Sequence, residues 1–454
     1  MMFSKKDLFK LILPLILQSI LSTLTGTINS MMVSNAGDAA VSGVSLVTTL
    51  DNLLIIAFTA IVTGGSVVVS QAIGQGDTKL MQNSSKQLLY CVAFISLLIT
   101  VVVFSLRVPL LNLLYGDVEA DVMYHALNYF SIISLSFPLL AVYQVASALF
   151  RVMGDTITCM YLSFASNILV IFSNFIFISK LGMGAAGAAL STVISRLIFS
   201  VLVIVMLHSK KRMLYFVQIF RYRPDFPLIK KILRIGIPTG IENSMHNFGK
   251  LLTASLISTM GTVAVAANSV ALNLANFQYM AGNAIGRSTT TVVGRCIGAG
   301  EMKQAKKYAH MLLFICYALL IGTSLIILIF TKPLLSLYGL SQASAQLAAK
   351  LLRLHVVVAI LIWPLGFYLP NVFRAVGDAK FPMKIASFAM WVFRVAGAYL
   401  LASDGFSLFG LSVPGMGLGI IGVWYAMFAD WVFRAFFYSR KFFSGRWLKN
   451  YKDV

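Results

Sequence analysis

The sequence predicts an all-α integral membrane protein: twelve transmembrane helices in two parallel six-helix repeats. Three observations carry this prediction. The 454-residue chain is 59% hydrophobic and only 11% charged, with a mean hydropathy of +0.86. Apolar runs such as 91–106, 162–178, 197–207 and 311–330 recur along its whole length, and roughly 20 mostly apolar residues let a helix cross a bilayer. The sequence is also written twice. Pro14 returns as Pro238, Gly37 as Gly261, and QAIGQGDTK (71–79) as RCIGAGEMK (295–303), at an offset of 224. LLYG (113–116) returns as SLYG (336–339) and FRVMGD (150–155) as FRAVGD (373–378), at 223, and GMGAAGAA (182–189) as GLGIIGVW (417–424), at 235. A duplicated apolar unit of this size is a pattern of membrane transporters.

Taken in order, the apolar segments predict helices near 8–34, 44–73, 85–108, 122–151, 156–179 and 184–208 in the first half. The second half has them near 230–259, 264–298, 304–330, 345–374, 380–402 and 416–440. Lys5 and Lys6 precede an apolar run too long for a signal peptide, with no close A-x-A site, so the first segment reads as an uncleaved helix. Strands are not expected, because the runs are too long for barrel strands and lack strict alternation. The charged interruption 209–229 separates a bundle at 1–208 from one at 230–454, and its Leu214–Phe216 and Ile219–Phe220 suggest a helix lying on the inner leaflet. Six helices per half make both halves enter from the same side, hence parallel repeats. The insertion 403–414 predicts an enlarged outer loop.

The net charge of +21 reads as topology rather than nucleic-acid binding. With the N-terminus inside, the inner segments hold Lys5, Lys6, Lys10, Lys79, Lys86, the cluster Lys210, Lys211, Arg212, Arg221, Arg223, Lys230, Lys231 and Arg234, and a basic tail. The outer loops carry Asp38, Asp117, Glu119, Asp121 and Asp404. This positive-inside bias puts both termini in the cytoplasm and the basic residues against anionic lipid. Cys91, Cys159, Cys296 and Cys316 show no CxxC pairing, so neither a disulfide nor a metal site is expected. Gly182-x-Gly184-x-x-Gly187 and Gly417-x-Gly419-x-x-Gly422 match a dinucleotide fingerprint, but that fingerprint needs a strand before it. Here they read as tight turns between helices. No HExxH, P-loop or G-x-S-x-G is present, which leaves no enzymatic constellation and no cofactor.

The helix-one proline, the IGxG[DE]xK turn after helices two and eight, and FRxxGD after helices four and ten resemble the multidrug and toxic compound extrusion (MATE) transporters. The resemblance covers nearly the whole chain. It implies a V-shaped pair of bundles in a bacterial inner membrane, working without an obligate protein partner. It also implies export of small organic compounds, often cationic, in exchange for protons or sodium. A lipid or lipid-linked sugar flippase of related fold is the alternative.

Ionisable residues within the spans are costly and mark candidate sites. Glu242, His246 and Lys250 fall on one stripe of helix seven, flanked by Asn243 and Asn247. Glu242 is a candidate proton or cation site; a Glu–His–Lys network that orders the helix stays open beside it. Asp51 is the matching candidate of the first half. Glu242 corresponds to Gln18 in the repeat and Asp51 to Ala275, so each half has an acid the other lacks. Gln144 and Gln278 are candidate cavity residues. The family pattern places an aspartate in helix one where Asn29 stands; asparagine carries no proton, which leaves coupling to Glu242 or Asp51. Arg287 stands where the family more often has a neutral residue, and with Lys250 it keeps an anionic or zwitterionic substrate open. Arg151, Gly154 and Asp155, with Arg374, Gly377 and Asp378, form inner turns that are structural or gating elements. Asp430 and Arg434 are spaced to pair, and Arg196 and Arg394 to pair or snorkel.

Overall fold

The computed structural model describes residues 2–34, 37–116, 118–209, 213–216, 223–408 and 411–448. The chain divides into two compact units, Met1–Ile237 and Pro238–Val454. The first unit contains α1 (Lys5–Ser34), α2 (Asp38–Gln75), α3 (Thr78–Ser105), α4 (Arg107–Tyr115), α5 (Ala120–Ser134), α6 (Phe137–Met153), α7 (Thr156–Asn174) and α8 (Gly184–Leu207). The division falls inside α9 (Phe226–Ser258), at Pro238. The second unit continues with α10 (Thr262–Gly298), α11 (Met302–Ile329), α12 (Thr331–Ser336), α13 (Gln342–Trp363), α14 (Leu369–Ala375), α15 (Lys380–Ala389), α16 (Gly397–Ala402) and α17 (Gly419–Phe443). Among the described residues, nine helices are long and apolar enough to cross a membrane, ten when α5 and α6 count as one span. The predicted helices seven and eight are present as α9 and α10, 33 and 37 residues long. They fall outside that count because their spans carry many polar side chains.

In the first unit α2 is the central element, packed on α3, α5 and α6, while α1 lies along α7 and α8 covers α5 and α6. Its core includes Val47, Phe58, Phe130, Ile133, Phe137 and Ala189. At about 1.5 Å per residue, the 38 residues of α2 reach roughly 57 Å, well beyond the ~30 Å hydrocarbon core. Gly64 of α2 meets Gly236 and the Ile232 carbonyl at the start of α9, where a Cβ would strike backbone. Asn83 donates to Asp225 (2.8 Å) and Gln87 to the Arg223 carbonyl (2.7 Å), fixing the entry to α9 on α3. In the second unit α10 packs on α11, α13 and α14, and α17 on α13, α15 and α16; Ala267, Leu274, Ala348, Leu352 and Val356 form a core between α10 and α13. Leu97, Val101 and Val102 of α3 are exposed, as are their repeat mates Ile321, Leu325 and Ile326 of α11. The same apolar stripe faces outward in both repeats, as lipid contact requires. Hydroxyls such as those of Thr25, Thr59, Thr63 and Ser66 donate to carbonyls four residues back, so they need no water.

Local chemistry sets the helix ends. Gly154 and Gly377 take φ of 91° and 90°, left-handed values that favour glycine. The amides of Asp155 and Asp378 then bond back to the carbonyls of Phe150 and Phe373 (2.9 and 3.0 Å). Asp155 and Asp378 next accept from the amides of Thr158 and Phe381, starting α7 and α15. Pro14, inside α1, has no N–H to give the Lys10 carbonyl. Thr156, first residue of α7, donates to that carbonyl instead (2.8 Å).

Several expectations are corrected. The predicted helix 122–151 is α5 and α6, bent by 52°, because Pro138, in the first turn of α6, has no N–H for the Ser134 carbonyl and its ring crowds that carbonyl. The spans near 156–179, 345–374 and 380–402 each contain a π-helical turn, at Phe175–Lys180, Pro364–Tyr368 and Met390–Ala396. The insertion 403–414 is not a plain loop: Gly405–Leu408 pairs antiparallel with Leu411–Pro414. Outside the helices, pairing across a hairpin satisfies those backbone groups. In the connecting segment, Leu214–Phe216 is not helical; Leu214 and Phe216 are buried, and the Phe216 amide bonds the Leu207 carbonyl at 2.8 Å. Burial removes the apolar surface that an interfacial helix would have offered to lipid. Lys210, Lys211, Arg212, Ile219, Phe220, Arg221 and Asp117 lie outside the described residues.

Gly64→Leu is expected to lower the apparent unfolding temperature, measured by size-exclusion after heating in detergent. Gly26→Ala, where an added Cβ meets nothing within 4 Å, should match wild type or exceed it.

Candidate functional site

Each unit contains a cavity, and the two cavities occupy corresponding positions. In the first unit Gly26, Asn29, Val33, Val44, Thr48, Tyr129 and Asn174 are among the residues lining about 520 Å³. In the second, Lys250, Thr253, Ile257, Asn268 and Leu272 line about 220 Å³. These five are the mates of Gly26, Asn29, Val33, Val44 and Thr48 at the 224-residue offset. The fold therefore makes the same hollow twice, and the side chains at its wall set two different chemistries.

In the first unit α1 and α7 meet through Asn174, whose amide donates to the Asn29 side chain (3.1 Å). Three residues along α2 from Thr48, on the same helix face, lies Asp51. Its Oδ2 accepts from Arg196 of α8 at 3.0 Å, and Arg196 also donates to the Ser136 hydroxyl at 2.8 Å. Asp51 Oδ1 is buried and has no partner among the described residues. Asn29 and Asp51 are thus close in the fold, but only Asn29 lines the cavity wall.

The helix-seven stripe divides into three environments. Glu242 is 8% exposed and accepts from Arg374 Nη2 at 2.7 Å. Arg374 is held in turn by the Asn371 side chain (3.2 Å). The arginine expected at an inner turn surface is therefore a buried partner of the helix-seven acid. His246 packs edge-on against Phe367, at 6.3 Å between ring centroids, on the π turn opened by Pro364. Lys250 lines the cavity. Among the described residues the Glu–His–Lys network is not formed: Glu242 is taken by Arg374, and His246 stands against the Phe367 ring with its buried Nδ1 unpartnered. Asn247 donates to the Asn243 carbonyl (2.7 Å) and so closes on its own helix.

The remaining candidates scatter. Gln278 is fully buried and donates to Ser324 (2.6 Å). Gln18 and Gln144 line neither cavity, nor does Arg287, which is exposed on α10. Asp378 pairs with Lys441. Asp430 is fully buried and receives two bonds from Arg434, at 2.6 and 3.1 Å, with Arg394 at 3.7 Å. Arg394, expected to pair or snorkel, also lines the second cavity; Asn268, Asn276, Asn174 and Tyr129 are wall residues that the sequence does not single out. Comparing the repeats at Val44 and Asn268 would have flagged one of them.

An internally duplicated helical chain with a polar hollow in each half and buried ion pairs beside them is a multi-pass membrane transporter in architecture. The MatE family model matches residues 14–176 and again 238–400. The chain belongs to that family, the MATE transporters. It is 29% identical over 452 residues to the uncharacterized transporter YisQ of Bacillus subtilis, covering 98% of this chain and 95% of that one. It is 25% identical to the probable multidrug resistance protein NorM of Thermotoga maritima, over 98% and 93% of the two chains. A crystal structure of MATE in the bent conformation shares the fold with a TM-score of 0.87, at 20% identity over 99% of this chain and 97% of that one.

Removing one member of a buried pair strands the other charge, at a cost of about 3–5 kcal/mol. Arg196→Ala should therefore destabilise the protein strongly in thermal unfolding. The double variant Asp51→Asn, Arg196→Gln should lose clearly less.

Proposed function

We propose that this transporter is an ion-coupled antiporter that exports organic compounds by alternating access, in a bacterial inner membrane with both termini in the cytoplasm. The observation that carries the reading is the pair of buried acid–arginine contacts, Asp51–Arg196 in one unit and Glu242–Arg374 in the other. Neutralising the acid removes what holds its arginine. The arginine then bears an unpaired charge in apolar surroundings, which is unfavourable until the helices rearrange. Binding of an ion is thereby coupled to the positions of α2 and α8, or of α9 and α14.

The proton is the favoured ion. Asp51 Oδ1 is a carboxylate oxygen without a partner among the described residues and can take a proton with Arg196 still in place. A sodium ion would have to compete with the guanidinium for the same carboxylate. Export of organic compounds is supported by the Thermotoga maritima relative, described as a probable multidrug resistance protein. A preference for cations finds no support in the walls: no aspartate or glutamate is among the described lining of either cavity. The basic segments at the predicted inner ends support the orientation.

In proteoliposomes, an imposed pH gradient should drive movement of a fluorescent organic dye, and a sodium gradient should not. Asp51→Asn should stop the gradient-driven movement while leaving the protein correctly inserted; full gradient-driven flux in that variant would remove Asp51 from the coupling mechanism. For the orientation, a tag fused after the last residue should be cleaved by added protease in inverted vesicles and protected in right-side-out cells.

A further inference from the structure

We propose that the cavity of the second unit is an anion site, built to take a carboxylate or phosphate group on a small molecule. Its wall presents hydrogen-bond donors and positive charge. Lys250 lines it from α9 and Arg394 from the π turn at Met390–Ala396. The ammonium of Lys250 has no acidic partner among the described residues. Among the described residues Arg394 has one long contact, to Asp430 at 3.7 Å, while Arg434 bonds both oxygens of that carboxylate at 2.6 and 3.1 Å. A guanidinium has five N–H donors, so Arg394 has donors to spare toward the hollow.

A neutral group independently points the same way. The indole N–H of Trp424 donates to Asn268 Oδ1 at 3.0 Å. An indole N–H can only donate, so the asparagine oxygen is fixed toward it and its NH₂ is left for the cavity that Asn268 lines. Lys250, Arg394 and Asn268 thus converge as donors from three elements. The local charge balance agrees: Arg394 and Arg434 both act on Lys250, while among the described residues Asp430 pairs with both arginines and Glu242, already paired with Arg374, acts on Arg434 as well. Unbalanced positive charge in an apolar bundle is costly, and an entering anion removes that cost. The repeat supplies a contrast, since the mates of Lys250 and Asn268 in the first-unit cavity are Gly26 and Val44. The same hollow in the first unit lacks this donor set.

The volume limits the ligand. About 220 Å³ is smaller than the roughly 300–1,000 Å³ of pockets for drug-sized molecules. It suits a small acid, or the acidic end of a larger compound. This deepens the transport reading by naming a substrate or co-substrate class, yet it is tested by binding alone, so the two can fail separately.

The experiment is calorimetric titration of the purified full-length protein with benzoate, inorganic phosphate and benzylammonium, at constant ionic strength and chloride. Benzoate, phosphate or both should bind saturably, and benzylammonium should not; which anion binds separates a carboxylate ligand from a phosphate ligand. Lys250→Gln should weaken binding by about tenfold or more, the loss expected for a charge-assisted hydrogen bond, and Lys250→Arg should largely keep it. Lys250 has no acid to strand, so its variants report on the site even where Arg394→Gln fails to fold. Absence of saturable binding by either anion, or equal affinity in wild type and Lys250→Gln, overturns the proposal.

Discussion

A charge held among apolar helices must be met by an opposite charge, and much of the polar architecture of this transporter follows from that requirement. Asp51, Glu242 and Asp430 are each buried, and each is met by arginine. Two of these pairs join residues more than 130 positions apart in sequence. The pairs therefore tie α2 to α8 and α9 to α14, where apolar packing alone would leave the helices free to slide. Because removing either partner is costly, each pair is also a place where one proton can alter the balance of a whole bundle.

Much of the fold is legible in the sequence. Hydropathy marks a span by summing over many residues, and the duplication supplied two independent readings of each segment. What was hidden depends on single residues or on backbone detail. Pro138 bends the fourth predicted helix, and Pro364 opens a π turn, yet neither breaks the apolar run that contains it. The 403–414 hairpin lies where helical periodicity has no information to give.

The site was legible in part, for a physical reason. The cost of an intramembrane charge makes Glu242, Asp51 and Lys250 conspicuous in sequence, but it says nothing about which residue meets them. Its FRxxGD motif marks Arg374 as a turn residue, yet Arg374 lies in the last turn of α14, and the packing of α14 against α9 brings it to Glu242. Residues that line a hollow while uncharged, such as Asn174 and Asn268, carry no such signal. The stripe 242–246–250 was a true geometric prediction, and its members still face three different neighbours, since eight residues of helix rise about 12 Å.

The bond from Thr156 to the Lys10 carbonyl gives α1 a property that its own hydrogen bonds do not. A proline leaves a helix with one fewer internal restraint, so α1 can flex at Pro14 without breaking any bond of its own. The restraint has been moved to another helix: the Thr156 hydroxyl acts as a catch, holding α1 to the start of α7 with about 0.5–1.5 kcal/mol. A catch of that strength is released and remade by thermal motion. Pro238 repeats the proline in α9, but Ala379 stands at the position of Thr156 and has no hydroxyl to donate. Two helices descended from one ancestor thus share a flexible joint, and this latch belongs to the first alone.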